Sequence, residues 1–498
     1  MVTDEMNRCL GIVRVADLAR EVTAAGAWRR REPDRHRIML GRGPPYGYEG
    51  GMPQNRRALN RRALLGTGLL AGVAACTPAQ PQAPSGPAPS GSAAPHAGGA
   101  AFDPQDWASV RAQFALDPAY AQFAAFVLAP APAPVREAVR TYRDGLDADP
   151  EYVPPGGAEP DQTVREAAAQ YLGIPTRPGD IALTDSTTMG LGLLYSGVRL
   201  RPGQDVLTTE HDFLATHEGL RLLAERTGAK VRRVRLYDDP ATASADRMVE
   251  AVRKGLGPRT RVVALTWVHS STGVRVPVRA VADLLAEVNR GRDEHDRALL
   301  CVDGVHGFGA LADGPGELGC DFLVSGTHKW LFGPRGTGIV WGGDWKAISP
   351  VIPSFSGAAF DAWQGRAPGP STAELVTPGG FKAFEHRWAL PRAFAFMSAI
   401  GKDRVQRRTQ ELATRLKAGL RELPSVTLAT PVAAELSAGL VCCSVSGMEP
   451  FEAVRRLHEQ KVVASVTPYN PPLLRFGTSI VTTPEQVDQA IRAVAALR

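Results

Sequence analysis

The strongest constraint on the fold of this 498-residue chain is an alternation of short, apolar, β-rich runs with helical patterns between Ile181 and Val340. Strands that alternate with crossover helices predict a mostly parallel sheet covered on both faces. Ligands of such sheets bind at the carboxyl ends of the strands. The predicted strands are 181–184, 205–209, 231–236, 261–267, 298–303, 322–325 and 338–341, and the helices between them include 216–227 and 280–288.

The pattern changes after Gly379-Gly380, which predicts a second, smaller α+β domain over 379–498. In this part, helices are predicted at 388–423, 450–459 and 484–497. Short strands are predicted at 439–445, 462–466 and 473–476. The preceding α/β part is predicted to be a large domain over 151–378. An N-terminal arm, 101–150, is expected to complete the small domain.

Lys329 lies in the segment Ser325-Gly-Thr-His-Lys-Trp-Leu-Phe, which is too apolar for a solvated loop. A desolvated lysine has a depressed pKa and can act as a nucleophile. Asp303 ends a predicted strand 26 residues earlier. Pyridoxal-phosphate chemistry needs this pair, because a lysine forms a Schiff base with the cofactor aldehyde and a buried carboxylate keeps the pyridinium nitrogen protonated. The sequence therefore predicts pyridoxal 5'-phosphate as the cofactor.

Polar side chains follow two more of the predicted strands. Ser186, Thr187 and Thr188 follow 181–184 and begin a helix, where free amides form an anion site. A plain N-cap is the alternative interpretation. His211 follows 205–209 and is either a ring that lies over the cofactor or a structural histidine.

Two further residues are candidates from their positions. His306 lies three residues after Asp303, within reach of the cofactor oxygens or of Asp303 itself. Arg475 interrupts an apolar run at 471–477 and needs a carboxylate partner. That partner is either a bidentate substrate carboxylate or a structural salt bridge.

Together these motifs resemble the class V aminotransferase family of fold-type I pyridoxal-phosphate enzymes over about residues 101–498, and most closely its isopenicillin N epimerase-like branch. The segments that carry the resemblance are Ala133-Pro-Val-Arg, Thr209-Glu-His-Asp-Phe, Gly326-Thr-His-Lys-Trp-Leu and Phe384-Glu-His-Arg-Trp-Ala-Leu.

The resemblance implies a role for each candidate residue. It implies the Schiff base on Lys329, the pyridinium contact on Asp303, ring stacking on His211, phosphate contacts on Thr187, Thr188 and His328, and substrate carboxylate binding on Arg475. Ser186, Ser270, His306 and Thr327 complete the expected cofactor-binding set, and no metal is expected. The resemblance also implies a homodimer, because the loop 333–338 commonly reaches the neighbouring subunit's site.

The sequence departs from the family pattern at two positions. Cysteine desulfurases of the family carry a catalytic cysteine in the loop before the carboxylate-binding arginine, whereas no cysteine follows Cys443 here. Desulfurase activity is therefore not expected. The family's asparagine beside a cofactor oxygen is replaced by Ser270.

The predicted enzyme acts on an amino acid or a related amine, with the freed Lys329 amine as the base. Aminotransferase is the first prediction, because that activity is widespread in the family. Epimerase and C-S lyase are the alternatives, and a non-catalytic binding module is a further one.

The segment 52–76 has the pattern of a signal peptide. Arg61-Arg62 precedes a short apolar run and Val73-Ala-Ala-Cys76, which resemble a twin-arginine export signal and a lipobox. A buried amphipathic helix is the alternative, but the Pro, Ala, Gly and Ser-rich stretch 77–100 that follows predicts a flexible linker. We therefore expect Met52 to be the true start, with 1–51 a start-site artefact. The expected product is an extracytoplasmic protein anchored by lipid at Cys76.

The formal net charge of +6 does not indicate nucleic-acid binding. Residues 1–62 contain 13 Arg against 7 acidic residues, which leaves 44 basic and 44 acidic residues in the rest of the chain. Nucleic acid is therefore not an expected partner. A small-molecule substrate, a second copy of the chain and a membrane reached through the lipid anchor are the expected partners.

Overall fold

A computed structural model describes residues 102–155, 159–367 and 369–497. The predictions for 1–51, 52–76 and 77–100, including lipidation at Cys76, lie outside these residues. The described residues belong to one compact unit, Ala100–Arg498. Among them, every helix is too short or too polar to cross a membrane.

The strands and helices follow one another in the order expected of an α/β chain. The strands are β1 (Ala121–Gln122), β2 (Ile181–Thr184), β3 (Asp205–Thr209), β4 (Lys230–Val234), β5 (Thr260–Thr266), β6 (Leu299–Asp303), β7 (Phe322–Gly326), β8 (Gly338–Gly342), β9 (Val426–Leu428), β10 (Leu440–Val445), β11 (Val462–Val463), β12 (Ser465–Val466) and β13 (Leu474–Gly477). The α-helices are α1 (Trp107–Ala112), α2 (Ala133–Ala148), α3 (Pro160–Leu172), α4 (Thr187–Gly197), α5 (Leu214–Thr227), α6 (Ala245–Gly255), α7 (Val278–Val288), α8 (Pro315–Leu318), α9 (Gly357–Trp363), α10 (Ala373–Val376), α11 (Phe384–Ile400), α12 (Lys402–Arg421), α13 (Pro450–Glu459) and α14 (Pro484–Ala495).

Seven of the described strands form the main sheet, in the order β2-β8-β7-β6-β5-β3-β4. β8 runs antiparallel to both of its neighbours, and the other pairs are parallel. β2, β5, β6, β7 and β8 are buried along their whole length. A parallel sheet of this kind needs a helix layer on each face, and the core divides accordingly into two large apolar clusters. The structure confirms the predicted fold-type I α/β architecture with a mostly parallel central sheet.

The carboxyl-terminal part contains a four-stranded antiparallel sheet, in the order β12-β13-β10-β9. Helices α12 and α13 pack on it, whereas α14 packs on α12 and on the strands β1 and β11. The apolar side chains among these elements form a separate buried cluster.

Two predicted elements are each divided in the structure. The helical pattern 388–423 forms two helices, α11 and α12, because Gly401 between them has a φ of 90° that interrupts the helical backbone. The predicted strand 462–466 forms β11, which pairs with β1, and β12, which pairs with β13. A single sequence run thus contributes to two sheets.

The N-terminal arm contacts both parts of the fold. Ala121 in β1 is paired with Val462, and Phe123 is buried in the cluster of the small sheet. Farther along, the amide of Ala129 donates to the carbonyl oxygen of His328 at 3.1 Å. The arm is therefore bonded to the residue that precedes Lys329.

Candidate active site

The loop that carries Lys329 connects β7 to β8 at the carboxyl edge of the main sheet. The amide of Thr327 donates to the carbonyl of Thr337 at 3.0 Å, and that of Gly333 donates to the carbonyl of Thr327 at 2.9 Å. The Thr327 hydroxyl is fully buried and bonded to the hydroxyl of Thr337. This predicted cofactor residue therefore closes the loop with its side chain rather than presenting it to the site.

The Lys329 amine lies beside a buried histidine. Its Nζ is 3.1 Å from His306 Nε2, and the Nδ1 of the same ring accepts from Trp330 Nε1 at 3.1 Å. Burial lowers the pKa of Lys329 to about 8, with Asp303 acting against burial and Arg475 with it. A lysine with this pKa supplies an appreciable fraction of free amine near neutral pH.

Asp303 ends β6 and is 1% exposed. Its Oδ1 accepts from the amide of Val305 at 3.0 Å. Burial nevertheless raises the pKa of Asp303 to about 6, because Val305 and Lys329 only partly offset the cost of burying a charge. A cation placed against this carboxylate would hold it ionised, as the predicted pyridinium contact requires.

The expected phosphate site lies where β2 leads into α4. Ser186 caps the helix, with its Oγ accepting from the amide of Met189 at 3.1 Å. Thr187 Oγ1 accepts from the amide of Gly326 at 2.7 Å, which joins the helix start to the end of β7. The first-turn amides of a helix lack intrahelical acceptors and carry partial positive charge. Thr188 is exposed on this turn.

His328 borders the same place with an unused polar atom. Its Nδ1 is buried and has no hydrogen-bond partner among the described residues. A Cβ at Gly326 would lie 2.9 Å from the His328 ring and 3.2 Å from Thr187 Oγ1, so the absence of a side chain keeps this space open. These features suit a bound phosphate.

His211 follows β3, and its ring stacks on Tyr237 with centroids 3.9 Å apart and an interplanar angle of 13°. Its Nε2 accepts from the amide of Leu236 at 3.2 Å, and burial lowers the pKa of His211. Tyr237 is itself fixed, because its hydroxyl bonds to His269 Nδ1 at 2.8 Å and to Thr272 Oγ1 at 2.9 Å. One ring face of His211 is thus covered by a residue that the sequence did not indicate.

Asp212 is a second residue that sequence reasoning missed. It is buried and accepts from Thr208 Oγ1 at 2.7 Å, from the amide of Thr209 at 2.8 Å and from the amide of Thr266 at 2.7 Å. These bonds tie the turn that carries His211 to the neighbouring strand β5. An acid directly after a histidine at a strand end is the signal that could have identified it.

Arg475 lies in β13 and is 7% exposed. Its guanidinium donates to the carbonyl of Ser270 at 3.0 Å and to Ser465 Oγ at 3.2 Å, and it lies 4.9 Å from the ring centroid of Phe126. In the part of the chain that the structure describes, no carboxylate pairs with it. The structural salt bridge considered above is not found, and burial lowers the pKa of Arg475.

Ser270 connects this arginine to a tyrosine of the loop 467–473. Its Oγ lies 2.8 Å from Tyr469 Oη, while its carbonyl accepts from Arg475. Tyr469 occupies the loop in which desulfurases of the family carry their cysteine. A tyrosine in a loop of Pro and Asn carries no local signal of function, and the sequence did not identify it.

The residues fit three groups of pyridoxal phosphate. Lys329 supplies an amine for the aldehyde, Asp303 supplies a buried carboxylate for the ring nitrogen, and the start of α4 with the unpartnered His328 nitrogen suits the phosphate. Fold and site together define a pyridoxal-phosphate enzyme of fold type I. The chain belongs to the aminotransferase class-V family, whose model matches residues 159–468.

Its relatives include the isopenicillin N epimerase of Streptomyces clavuligerus, 28% identical over 409 residues, which are 79% of this chain and 98% of that protein. The isopenicillin N epimerase of Amycolatopsis lactamdurans is 31% identical over 65% of this chain and 82% of that protein. A probable cysteine desulfurase of Streptomyces coelicolor is 23% identical over 67% of this chain and 80% of that protein.

Solved structures share the fold. The cystine C-S lyase C-DES in complex with its product cysteine persulfide superposes with a TM-score of 0.66 at 21% identity, covering 76% of this chain and 97% of that one. The apo cysteine desulfurase of Thermococcus onnurineus NA1 gives a TM-score of 0.66 at 19% identity, covering 78% and 97%.

Proposed function

We propose that this chain is an amino-acid epimerase that inverts the α-carbon of a carboxylate-bearing substrate. The observation that carries the proposal is Arg475, a buried cation near the lysine site with no carboxylate partner among the described residues. Aminotransferase was the first prediction from the sequence. Epimerisation moves ahead of it because the likeness extends over 98% of a protein named as an epimerase.

When bound, pyridoxal phosphate supplies an electron-withdrawing ring that makes the α-proton of an attached amino acid acidic. The chain supplies the rest of the chemistry. Asp303 holds a proton on the ring nitrogen, the start of α4 and His328 bind the phosphate, and Arg475 orients the carboxylate. The Lys329 amine removes the α-proton, for which its lowered pKa of about 8 is suitable.

Inversion requires a proton to return to the opposite face of the α-carbon. Tyr469 is the group we propose for this step. Its hydroxyl lies 2.8 Å from Ser270 Oγ, and the Ser270 carbonyl binds the arginine that would hold the substrate carboxylate. Burial raises the pKa of Tyr469, so the phenol carries its proton and can donate it.

The test is incubation of the purified chain and pyridoxal phosphate with single L-amino acids in deuterium oxide, without a keto acid. We expect the D-enantiomer with deuterium at the α-carbon and no keto acid. Formation of keto acid in amounts equal to the cofactor would identify an aminotransferase instead, and loss of a β-substituent would identify a lyase. Lys329→Ala should abolish both exchange and the visible band of bound cofactor, whereas Lys254→Ala, at an exposed lysine, should change neither.

We further propose export by the twin-arginine route with lipid attachment at Cys76, on the sequence features of 52–76. Lys substituted at both Arg61 and Arg62 should retain the protein in the cytoplasm, while the same change at Arg56 and Arg57 should allow export. Cys76→Ser should release the exported protein from the membrane fraction. Unchanged fractionation of all three variants would contradict the proposal.

A further inference from the structure

Trp330, His306 and Lys329 form a continuous hydrogen-bonded chain within the site. The indole Nε1 of Trp330 donates to His306 Nδ1 at 3.1 Å, and His306 Nε2 lies 3.1 Å from Lys329 Nζ. Trp330 and His306 are each 3% exposed. The imidazole therefore connects the indole to the lysine, shielded from solvent.

The direction of each bond follows from what its atoms can do. An indole nitrogen can only donate, so His306 Nδ1 carries no proton. A neutral imidazole then has its proton on Nε2, and burial lowers the pKa of His306, which keeps the ring neutral. Nε2 therefore donates, and Lys329 Nζ accepts. Because an ammonium group has no lone pair, this bond requires the free amine of Lys329.

We propose that Trp330 is a positioning residue which, by fixing the His306 tautomer, favours the unprotonated form of the Lys329 amine, the form that would attack the aldehyde of the cofactor. The proposal rests on the assignment of that aldehyde to pyridoxal phosphate. In the attack a C=N bond replaces the C=O bond, and the oxygen leaves as water with both amine protons. The step needs no oxidant or reductant.

Among the described residues, the other charged and titratable groups that act on Lys329 are Asp303 at the end of β6, Arg475 in β13 and His328 in the same loop. Asp303 favours the ammonium form of Lys329, and Arg475 disfavours it. A bond donated to the lone pair of the amine favours the neutral form in addition to these charges. A substitution at Trp330 alters none of these charges. The contribution of the hydrogen-bonded chain to the pKa of Lys329 can therefore be measured separately from theirs.

Lys417 provides a comparison within the same chain. It is 1% exposed, and its Nζ donates to the carbonyl of Pro431 at 2.9 Å, to that of Val432 at 2.9 Å and to Ser437 Oγ at 2.7 Å. Burial lowers its pKa to about 8 as well. The two lysines are thus similarly perturbed by burial, but only the Lys329 bond requires the nitrogen to accept.

The first experiment is Trp330→Phe, which removes the indole N–H and keeps an aromatic ring to stack on Phe126. Reductive methylation of the cofactor-free full chain with formaldehyde and a borane, followed by mass spectrometry, measures the pH midpoint of labelling at each lysine. We expect the Lys329 midpoint to rise by about one pH unit, which slows its labelling about tenfold at pH below the midpoint. The rate of pyridoxal phosphate capture should slow to the same extent, and the Lys417 midpoint should not move.

Trp345→Phe is the matched control. Trp345 is 6% exposed and its Nε1 donates to the carbonyl of Asp180 at 3.2 Å, so the substitution removes an equivalent buried N–H bond elsewhere. It should leave the Lys329 midpoint unchanged. An unchanged midpoint in Trp330→Phe as well, or an equal shift in both variants, would overturn the proposal.

A second measurement does not depend on the folding of Trp330→Phe. Nitrogen-15 NMR of the histidine-labelled cofactor-free wild type reads the His306 tautomer, with His306→Gln assigning the signal. A proton on Nε2 supports the proposal, and a proton on Nδ1 or on both nitrogens refutes it. A wild type with the expected Lys329 midpoint and tautomer that takes up no pyridoxal phosphate would contradict the proposed function while supporting the proton arrangement.

Discussion

At the scale of single residues, the burial of Arg475 has an energetic cost that no carboxylate among the described residues offsets. A guanidinium removed from water is stabilised by an ionic partner, and among the described residues Arg475 has only neutral acceptors and the ring of Phe126. A substrate carboxylate would complete the arrangement. The cost of burying the arginine is then recovered only when substrate is bound.

This arrangement predicts the effect of Arg475→Gln. Loss of charge-assisted bonds to a carboxylate costs about 1.5–3 kcal/mol, so kcat/KM for amino acids should fall roughly ten- to a hundredfold. The visible band of bound cofactor should persist. Arg415→Gln removes a bidentate pair with Asp488, 2.7 Å at both oxygens, on the half-exposed surface, and should change kcat/KM by no more than about twofold. An equal loss in both variants would argue against a carboxylate site at Arg475.

The raised pKa of Asp303 predicts that the stability of the cofactor-free protein depends on pH. Its pKa is raised from 3.8 to about 6 on folding, so the unfolded chain releases this proton at lower pH than the folded chain. Raising the pH from about 4 to about 6 should therefore remove up to about 3 kcal/mol of the free energy of unfolding through this one group.

Asp303→Asn should abolish that loss. Urea unfolding of the cofactor-free variant and wild type should differ more at about pH 7 than at about pH 4, with the variant the more stable at the higher pH. His269 titrates with the opposite sign in the same range, since burial lowers its pKa to about 3, but it is common to both proteins and cancels in the comparison. The variant should bind pyridoxal phosphate more weakly. A parallel pH dependence in the two proteins would exclude a buried, perturbed Asp303.

Sequence reasoning located the residues whose type conflicts with their surroundings. Lys329 and Arg475 are charged residues in apolar runs, and Asp303 ends a strand of apolar residues, so each one signals itself locally. Tyr237, Tyr469 and Phe126 are aromatic residues in ordinary contexts, and they act by contacts with residues that are 26, 199 and 349 positions away in the chain. Only the folded structure brings those contacts together.

At the scale of elements, the strands of the main sheet were predictable because a strand buried on both faces is a continuous apolar run. The break between α11 and α12 could not be predicted, because the helical periodicity continues through Gly401 and many helices tolerate a single glycine. Glycine adopts a φ of 90° readily because it has no Cβ, but the sequence does not show whether a glycine within a helical pattern takes that conformation.

Two glycines offer opposite predictions for alanine substitution. Gly401→Ala forces a side chain onto a positive φ and should lower the free energy of unfolding by about 1–2 kcal/mol. Gly192→Ala, inside α4 with open space where its Cβ would lie, should raise it by about 0.5–1 kcal/mol. Denaturant midpoints check both values. The same sign of change in the two variants would contradict the assigned backbone conformations.

At the scale of the whole molecule, large aromatic side chains lie exposed between residues 355 and 381. Phe355, Trp363 and Phe381 are 59%, 81% and 93% exposed. Large aromatic side chains exposed to this extent are typical of interfaces. We propose that these three contribute to the homodimer expected from the sequence.

The double substitution Trp363→Ser and Phe381→Ser should weaken that dimer about a hundredfold, since buried aromatic anchors carry much of an interface's binding energy. Analytical ultracentrifugation measures the dissociation constant. Phe451→Ser on α13, at a side chain that is 52% exposed, serves as the control and should not alter it. A monomeric wild type, or an unaffected double variant, would exclude this surface as the dimer contact.

The strand β8 has a consequence for how such a protein can diversify. Because β8 pairs with β2 on one side and β7 on the other, the backbone ladder sets the separation between the start of α4 and the Lys329 loop, and the bond from the Gly326 amide to Thr187 Oγ1 reinforces it. Arg475 and Tyr469 belong instead to the small sheet and to the loop 467–473. Changes at these two proposed substrate-binding residues can therefore accumulate without altering the main sheet that fixes the Lys329 loop and the start of α4, so new activities can arise while the cofactor site is inherited intact.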